Sequence, residues 1–232
     1  MQKSFTSIAT RISMLIAFCS CFLFLYFLIN EEYSLSCSNI MILSGCFIVP
    51  LCLAGFFIAR GFEQEIMKKK LYHTLWMVLF VYYAAVMIYM LFFASEFARD
   101  SYRVFDANYI DSLKQQWIFH TNLKPFHTIN LMIQAYDLNM TQLANMNLIG
   151  NVVAFMPCAL FLPKLFPRLK KTIPFTLWMA FMITAVEIIQ LLTLSGAMDI
   201  DDLILNMAGS LLCYLFLKLP FLQSLLRKYL YY

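Results

Sequence analysis

The sequence predicts an all-α membrane protein, a polytopic bundle of about six transmembrane helices with both termini in the cytoplasm. Hydrophobic residues make up 62% of the 232-residue chain and charged residues only 13%, which is too apolar for a soluble domain of this length. Runs of about 20 apolar residues, long enough to cross the hydrocarbon as helices, recur about six times. They cover residues 12–29, 40–59, 71–94, 147–166, 174–194 and 202–219.

The distribution of positive charge predicts the orientation. If every run spans, the basic clusters that contain Lys3, Lys68, Lys170 and Arg227 fall on one side of the membrane, whereas the short loop 195–201 on the other side has no Lys or Arg. The positive-inside rule then places both termini in the cytoplasm and this loop outside. The net charge of +4 follows from this bias, and no nucleic-acid partner is indicated.

Residues 1–70 are predicted to form a two-helix extension followed by a cytoplasmic linker. The first span ends in Asn30-Glu31-Glu32 without a small-x-small cleavage site, which predicts an uncleaved signal anchor. Pro50 should kink the second span. Most of the seven cysteines lie inside apolar runs, and their spacing matches neither a disulfide framework nor a zinc site.

The remainder is predicted to be a core, residues 71–219, with a cytoplasmic tail at 220–232. The core holds four transmembrane helices and an external connection, residues 95–146, which is too short to build a core of its own. Two short helices in the headgroup layer are expected there, separated by a turn at Pro125. Their apolar residues recur every three or four positions: Phe105, Tyr109, Leu113 and Trp117, then Ile129, Met132, Ile133 and Tyr136.

Polar side chains interrupt the fourth and fifth spans near their outer ends. Asn147 and Asn151 lie one turn apart at the start of the fourth span, which Pro157 should bend in mid-membrane. Glu187 and Gln190 share one face of the fifth. Because an ionised group in a bilayer costs about 2.5–3.5 kcal/mol, Glu187 should face protein or water, and it is a functional candidate.

The sixth span begins with three acidic residues. Asp199, Asp202 and Asn206 repeat at intervals of three and four and share a face, while Asp201 points about 100° away. Either Asp199 or Asp201 is suited to cap the helix N-terminus. The fourth, fifth and sixth spans thus all have polar side chains near their outer ends. Because these side chains lie at the same depth, we expect them to converge.

The cluster fits three kinds of role. In a purely structural network, Glu187 would be a protonated acid bonded to Asn151 or Asn206. In an intramembrane enzyme, Glu187 would act as general acid or base, and Asp199 and Asp202 would hold a divalent cation. Ion or proton transport is less favoured, because no charged residues mark the cytoplasmic half of the helices.

These residues resemble the VanZ-like family of membrane proteins. The matching elements lie between about residues 91 and 219: Asn122-Leu-x-Pro125-Phe126 with Thr128-Ile129, Asn147, Asn151-x-x-x-Phe155-x-Pro157, Leu162-Pro163, Glu187-x-x-Gln190 and Asp199-x-x-Asp202-x-x-x-Asn206-x-x-Gly209. The resemblance implies a multipass cell-membrane protein, an accessory envelope factor that lowers sensitivity to teicoplanin-like glycopeptides, lipoglycopeptides or other membrane-directed antimicrobials.

The resemblance also implies a polar site in the outer leaflet. Its binding residues would be Asn147, Asn151, Gln190, Asp199 and Asn206. Its partners would be membrane lipids and either an amphiphilic antimicrobial or a lipid-linked cell-wall intermediate. On the alternative interpretation as an enzyme that acts on such an intermediate, Glu187 and Asp202 would be catalytic.

Three positions depart from the family pattern. Ala159 and Cys213 replace glycines of the fourth and sixth spans, and both keep a small side chain where helices approach. The arginine common in the loop before the aspartates is missing, since Gly196-Ala197-Met198 stands there. If that arginine binds an anionic group in relatives, this chain lacks the contact.

Overall fold

The computed structural model describes residues 2–29, 36–94 and 107–230, and most of them are helical. Apart from one isolated bridge between Asn122 and Asp199, no β-structure occurs in these three segments. The all-α prediction is therefore confirmed. The helices are α1 (Gln2–Ile29), α2 (Cys37–Arg60), α3 (Glu65–Phe92), α4 (Tyr109–His120), α5 (His127–Asp137), α6 (Thr141–Ala154), α7 (Cys158–Leu165), a 3₁₀ helix (Pro167–Lys170), α8 (Thr172–Leu192), α9 (Ile200–Leu217) and α10 (Pro220–Leu230).

Five segments of the described chain are long and apolar enough to cross a membrane. They are α2, α3, the α6–α7 pair taken as one span, α8, and α9. The polytopic bundle is thus confirmed. The first predicted span, residues 12–29, is also helical and lies within α1.

The described helices belong to two compact units. The first contains residues 1–90 and 94–97, so it includes α1, α2 and most of α3. In its core, the Tyr82 ring stacks on Phe47 with centroids 4.2 Å apart, and the Tyr82 hydroxyl lies 3.1 Å from Ser44 Oγ. Ser20 Oγ donates to the Cys46 carbonyl at 3.1 Å and links α1 to α2. The polar atoms of this apolar unit therefore bond to one another, as expected within a membrane.

The second unit contains residues 91–93 and 98–230, and its core lies along one face of α8. Phe175, Met179 and Ile183 are completely buried at intervals of four residues. The next residue in that series is Glu187, which is 6% exposed. The prediction that Glu187 faces protein rather than lipid is confirmed, and the reason is the helical repeat of the core residues before it.

The fourth predicted span is interrupted where Pro157 was expected to bend it. α6 ends at Ala154 and α7 starts at Cys158, because proline has no N–H to continue the helical ladder. The intervening bonds are of the tighter three-residue type, from the Met156 N–H to the Val153 carbonyl and from Cys158 to Phe155, both at 3.1 Å.

The helix boundaries differ from the predicted ones at two places. α6 begins at Thr141, so residues 141–146, which were assigned to the external connection, are helical. The tail at 220–232 contains a helix, α10, over Pro220–Leu230. The two short helices of the connection are present as α4 and α5, while Phe105 lies outside the described residues.

Turns at the ends of α5 and α8 use left-handed residues that are not glycine. Asn139 follows α5 with a φ of 59°, and Leu194 follows α8 with a φ of 56°. After each, the next N–H bonds back into the helix, from Met140 to the Ala135 carbonyl at 2.9 Å and from Ser195 to the Gln190 carbonyl at 3.0 Å. Both are Schellman motifs, which satisfy the last carbonyls of a helix. The turn after α8 therefore includes Leu194, one residue before the predicted loop 195–201.

Candidate functional site

The site is built on a backbone contact between two segments that are distant in sequence. The Asn122 N–H donates to the Met198 carbonyl, and the Ile200 N–H donates to the Asn122 carbonyl, both at 2.9 Å. This short parallel bridge pairs Asn122 with Asp199. It holds the connection between α4 and α5 against the start of α9.

The Asp199 carboxylate is occupied by donors from within the protein. Its Oδ1 accepts from Asn122 Nδ2 at 2.9 Å and from the Asp201 N–H at 2.8 Å, and its Oδ2 accepts from Thr128 Oγ1 at 2.5 Å. The predicted cap of the last transmembrane helix is thus Asp199. Its own N–H donates to Glu187 Oε2 at 3.2 Å, which connects α8 to the same contact.

Asp201 is fully buried and binds the beginning of α5. Its carboxylate accepts from the N–H groups of Phe126 at 2.5 Å, Thr128 at 2.7 Å and Ile129 at 3.1 Å. These donors belong to the first turn of α5 and the residue before it, where a helix has no acceptors of its own. Phe126 is held there with a φ of 65°, a conformation that a bulky residue rarely adopts.

A second set of bonds joins α6 to α9. Asn151 Nδ2 donates to Asp202 Oδ1 at 2.5 Å. Asn206 Nδ2 donates to the Asp202 carbonyl at 2.7 Å and reaches Asn151 Oδ1 at 3.5 Å. The predicted convergence is confirmed for these three residues.

Two amide oxygens beside this network are buried without a donor. Neither Asn147 Oδ1 nor Asn206 Oδ1 has a hydrogen-bond partner among the described residues. Asn147 precedes Asn151 by one turn of α6, and Asn206 is 3% exposed. A buried acceptor without a donor costs about 1–3 kcal/mol, so this part of the site is suited to a group that brings N–H or O–H donors.

Gln190 is bonded to the backbone at the end of α3. It is 3% exposed, and its Nε2 donates to the Leu91 carbonyl at 3.0 Å. No contact of Gln190 with Asn151, Asp202 or Asn206 is present among the hydrogen bonds of the described residues, and its membership of their cluster stays a prediction. Glu187, one turn earlier, bonds to the Asp199 N–H instead.

A model of the VanZ/LLP1 family matches residues 80–223, which is more than half of the chain. The chain belongs to the VanZ/LLP1 family. The matched region extends from α3 into α10 and includes every residue of the site. No curated protein and no solved structure gave a match.

The VanZ/LLP1 site does not fit the metal pair that the sequence suggested. Within the described segments, no group of three or more His, Cys, Asp or Glu side chains is placed to hold an ion. Asp199 is a poor ligand because its carboxylate already accepts three hydrogen bonds, which a cation would have to displace. Asp202 Oδ1 accepts from the Asn151 amide, and one carboxylate alone makes a weak metal site.

The sequence analysis underestimated Asp201 and the residues that surround it. Asn122 and Thr128 were noted for the family pattern, and Asp201 was considered only as a helix cap. One signal was available: a buried carboxylate needs donors, and the first N–H groups of a helix need acceptors. Because Phe126 has no capping side chain, α5 must take its acceptor from elsewhere in the chain.

Proposed function

We propose that this VanZ/LLP1 protein is an accessory cell-envelope factor that lowers sensitivity to glycopeptide, lipoglycopeptide or other membrane-directed antimicrobials. It does so by binding an amphiphile at the polar site between α6 and α9. The observation that carries the proposal is the pair of buried acceptors, Asn147 Oδ1 and Asn206 Oδ1, beside the Asp202 carboxylate.

The chemistry of these groups selects a ligand that donates hydrogen bonds. The amide oxygens and the carboxylate are acceptors, and no lysine or arginine lies in the 195–201 loop. Hydroxyl and ammonium groups satisfy such acceptors, whereas a phosphate or carboxylate is repelled. The sugar hydroxyls and amines of glycopeptides are donors of this kind, and so are the sugar hydroxyls of lipid-linked cell-wall intermediates, whose phosphates would have to lie away from Asp202.

The position of the site also suits an amphiphile. The polar residues lie at the ends of α8 and α9 that the positive-charge pattern assigns to the outer leaflet. A ligand anchored there by an apolar chain brings its polar head to the depth of Asp202 and Asn206.

The second candidate is an intramembrane enzyme that acts on a lipid-linked or cell-wall substrate. The observation in its favour is the unequal exposure of the α9 carboxylates: Asp199 and Asp201 are buried, whereas Asp202 is partly exposed. Asp202 is therefore the α9 carboxylate that a substrate would meet. Mass spectrometry of a lipid-linked cell-wall intermediate incubated with the reconstituted protein distinguishes the two, because an enzyme changes its covalent structure and a binder does not.

Amide variants test the role of the two carboxyl groups. Glu187→Gln and Asp202→Asn keep the size of the side chains and most neutral hydrogen bonds, so both variants should insert and fold. Protection against the antimicrobial should nevertheless fall strongly in each, because an amide cannot move a proton or attract an ammonium group as a carboxylate does.

The measurement is the antimicrobial susceptibility of cells in which each variant replaces the wild type at equal membrane abundance. Leu203→Ile, one residue from Asp202, is the apolar control and should retain full protection. Full protection in both amide variants, in cells that become sensitive when the protein is deleted, contradicts the proposal.

A further inference from the structure

The end of the second unit where α8 begins and α9 ends, opposite the polar site, is basic and free of acidic residues. Residues 158–186 and 203–230, which form α7, the 3₁₀ helix, most of α8 and α9, and α10, contain no Asp or Glu. They contain seven basic residues: Lys164, Arg168, Lys170, Lys171, Lys218, Arg227 and Lys228. Lys170, Lys218 and Arg227 make no ion pair with a carboxylate of the described residues, and the pairs Lys68–Glu65 and Lys114–Asp111 lie elsewhere in the chain.

Three of these cations line one cavity. Its volume is about 230 Å³, and Lys170, Lys218, Arg227 and the amide of Gln223 are part of its wall. One water molecule needs roughly 10–15 Å³ of such space, so the cavity is large enough for a polyatomic anion. The groups that line it therefore include three positive charges and no negative one.

Contacts inside the protein fix the Lys218 ammonium and the backbone at Lys170. The Tyr214 hydroxyl donates to the Lys170 carbonyl at 2.8 Å, and the Tyr214 ring stacks on Phe175 with centroids 4.1 Å apart. Lys218 Nζ lies 4.4 Å from the centre of that ring and donates to Thr172 Oγ1 at 3.0 Å. An anion that enters the cavity thus meets one ammonium group whose position the protein already fixes.

The cavity lies at a membrane surface. α9 has Asp199 at one end and Lys218 at the other, and its 18 residues extend about 27 Å, close to the roughly 30 Å hydrocarbon thickness. α10 exposes Phe221 and Leu225, one turn apart, while Gln223 and Arg227, also one turn apart, line the cavity. A short helix with one apolar and one basic face is typical of the headgroup layer.

We propose that this cavity binds a phosphate group. A phosphate offers acceptor oxygens with negative charge, which complement the two ammonium groups, the guanidinium and the amide of the cavity. The two sources at this depth are the headgroup of an anionic phospholipid and free phosphate. The proposal is independent of the polar site at the other end of α9, where the charge has the opposite sign.

The test uses the full-length protein purified in a neutral detergent and two probes, phosphatidylglycerol and inorganic phosphate. Native mass spectrometry measures the affinity for phosphatidylglycerol against phosphatidylcholine, and competition with inorganic phosphate separates the two sources. The variants are Lys170→Gln and Arg227→Gln. Lys171→Gln is the matched control, because Lys171 is an exposed neighbour that does not line the cavity.

Each cavity variant should weaken phosphatidylglycerol binding roughly fivefold, and Lys171→Gln should leave it within about twofold. Displacement of the lipid by inorganic phosphate would identify the phosphate group alone as the ligand. Cavity-dependent binding that phosphate does not displace would identify the lipid headgroup. Equal losses in Lys171→Gln and the cavity variants, or no loss in any, would overturn the proposal, since binding would then depend on general basic charge or on another site.

Discussion

At the scale of single residues, the acidic residues of α9 have three different environments within one turn. Asp199 caps its own helix, Asp201 caps α5, and Asp202 accepts from Asn151 on α6. Their exposure differs accordingly, since Asp201 is completely buried and Asp202 is partly exposed. The carboxylates of the first two therefore lie enclosed in the protein, and only the third keeps partial exposure.

Asp201→Asn should destabilise the second unit. The carboxylate accepts three backbone N–H bonds through two oxygens, but an amide has one oxygen, and its NH₂ would face N–H donors. We expect a loss of about 2–3 kcal/mol, seen as a fall of about 5–10 °C in the thermal unfolding midpoint in detergent. Asp111→Asn, at an exposed position of α4, is the control and should be neutral. An unchanged midpoint for Asp201→Asn would show that these bonds contribute little.

At the scale of helices, the contact between α6 and α9 depends on one glycine. An ideal Cβ at Gly209 would lie 1.8 Å from the Val152 carbonyl oxygen and 2.7 Å from its carbon. Both atoms belong to the backbone and have no side-chain rotamer through which to move away. The absence of a side chain at 209 is thus what lets α6 approach closely enough for Asn151 to reach Asp202.

Gly209→Ala should separate α6 from α9 and cost roughly 3 kcal/mol or more. Gly150→Ala is the control on α6, where a Cβ meets nothing within 4 Å. That substitution should be neutral or stabilise the protein by up to about 1 kcal/mol, because alanine favours helix more than glycine does. The measurement is the thermal unfolding midpoint of each variant, which should fall for Gly209→Ala and not for Gly150→Ala. Similar midpoints would mean that the helices do not pack as described.

At the scale of the molecule, the second unit has chemically opposite ends. Acidic and amide side chains gather where α8 ends and α9 begins, and basic side chains gather where α8 begins and α9 ends. Because positively charged loops are retained in the cytoplasm, this polarity favours an orientation with the acidic end outside.

Labelling at Ala197 tests that orientation. Ala197 is exposed in the loop between α8 and α9, so a cysteine introduced there into a Cys-free background should be accessible. We expect a membrane-impermeant maleimide to label it in intact cells. A cysteine at exposed Lys171, at the basic end, is the matched control and should react only after the cells are opened. The reverse pattern would invert the topology and move the polar site to the cytoplasmic leaflet.

The sequence by itself determined the membrane-protein class, the helical fold and the burial of Glu187. Within a bilayer the backbone must satisfy its own hydrogen bonds, so an apolar run of sufficient length is a helix whatever its neighbours are. The cost of exposing a charge to lipid likewise requires Glu187 to face inward.

The partners of those polar groups were decided only by the tertiary structure. Helical periodicity predicts the direction of a side chain, but the donors of Asp201 lie 72 to 75 residues away and the acceptor of Gln190 lies 99 residues away. Such pairings depend on how α5 and α6 pack against α9, with α6 approaching closely at Gly209, and no local pattern contains this packing. The basic cavity arises in the same way, because it requires the turn that brings α10 back against the end of α9.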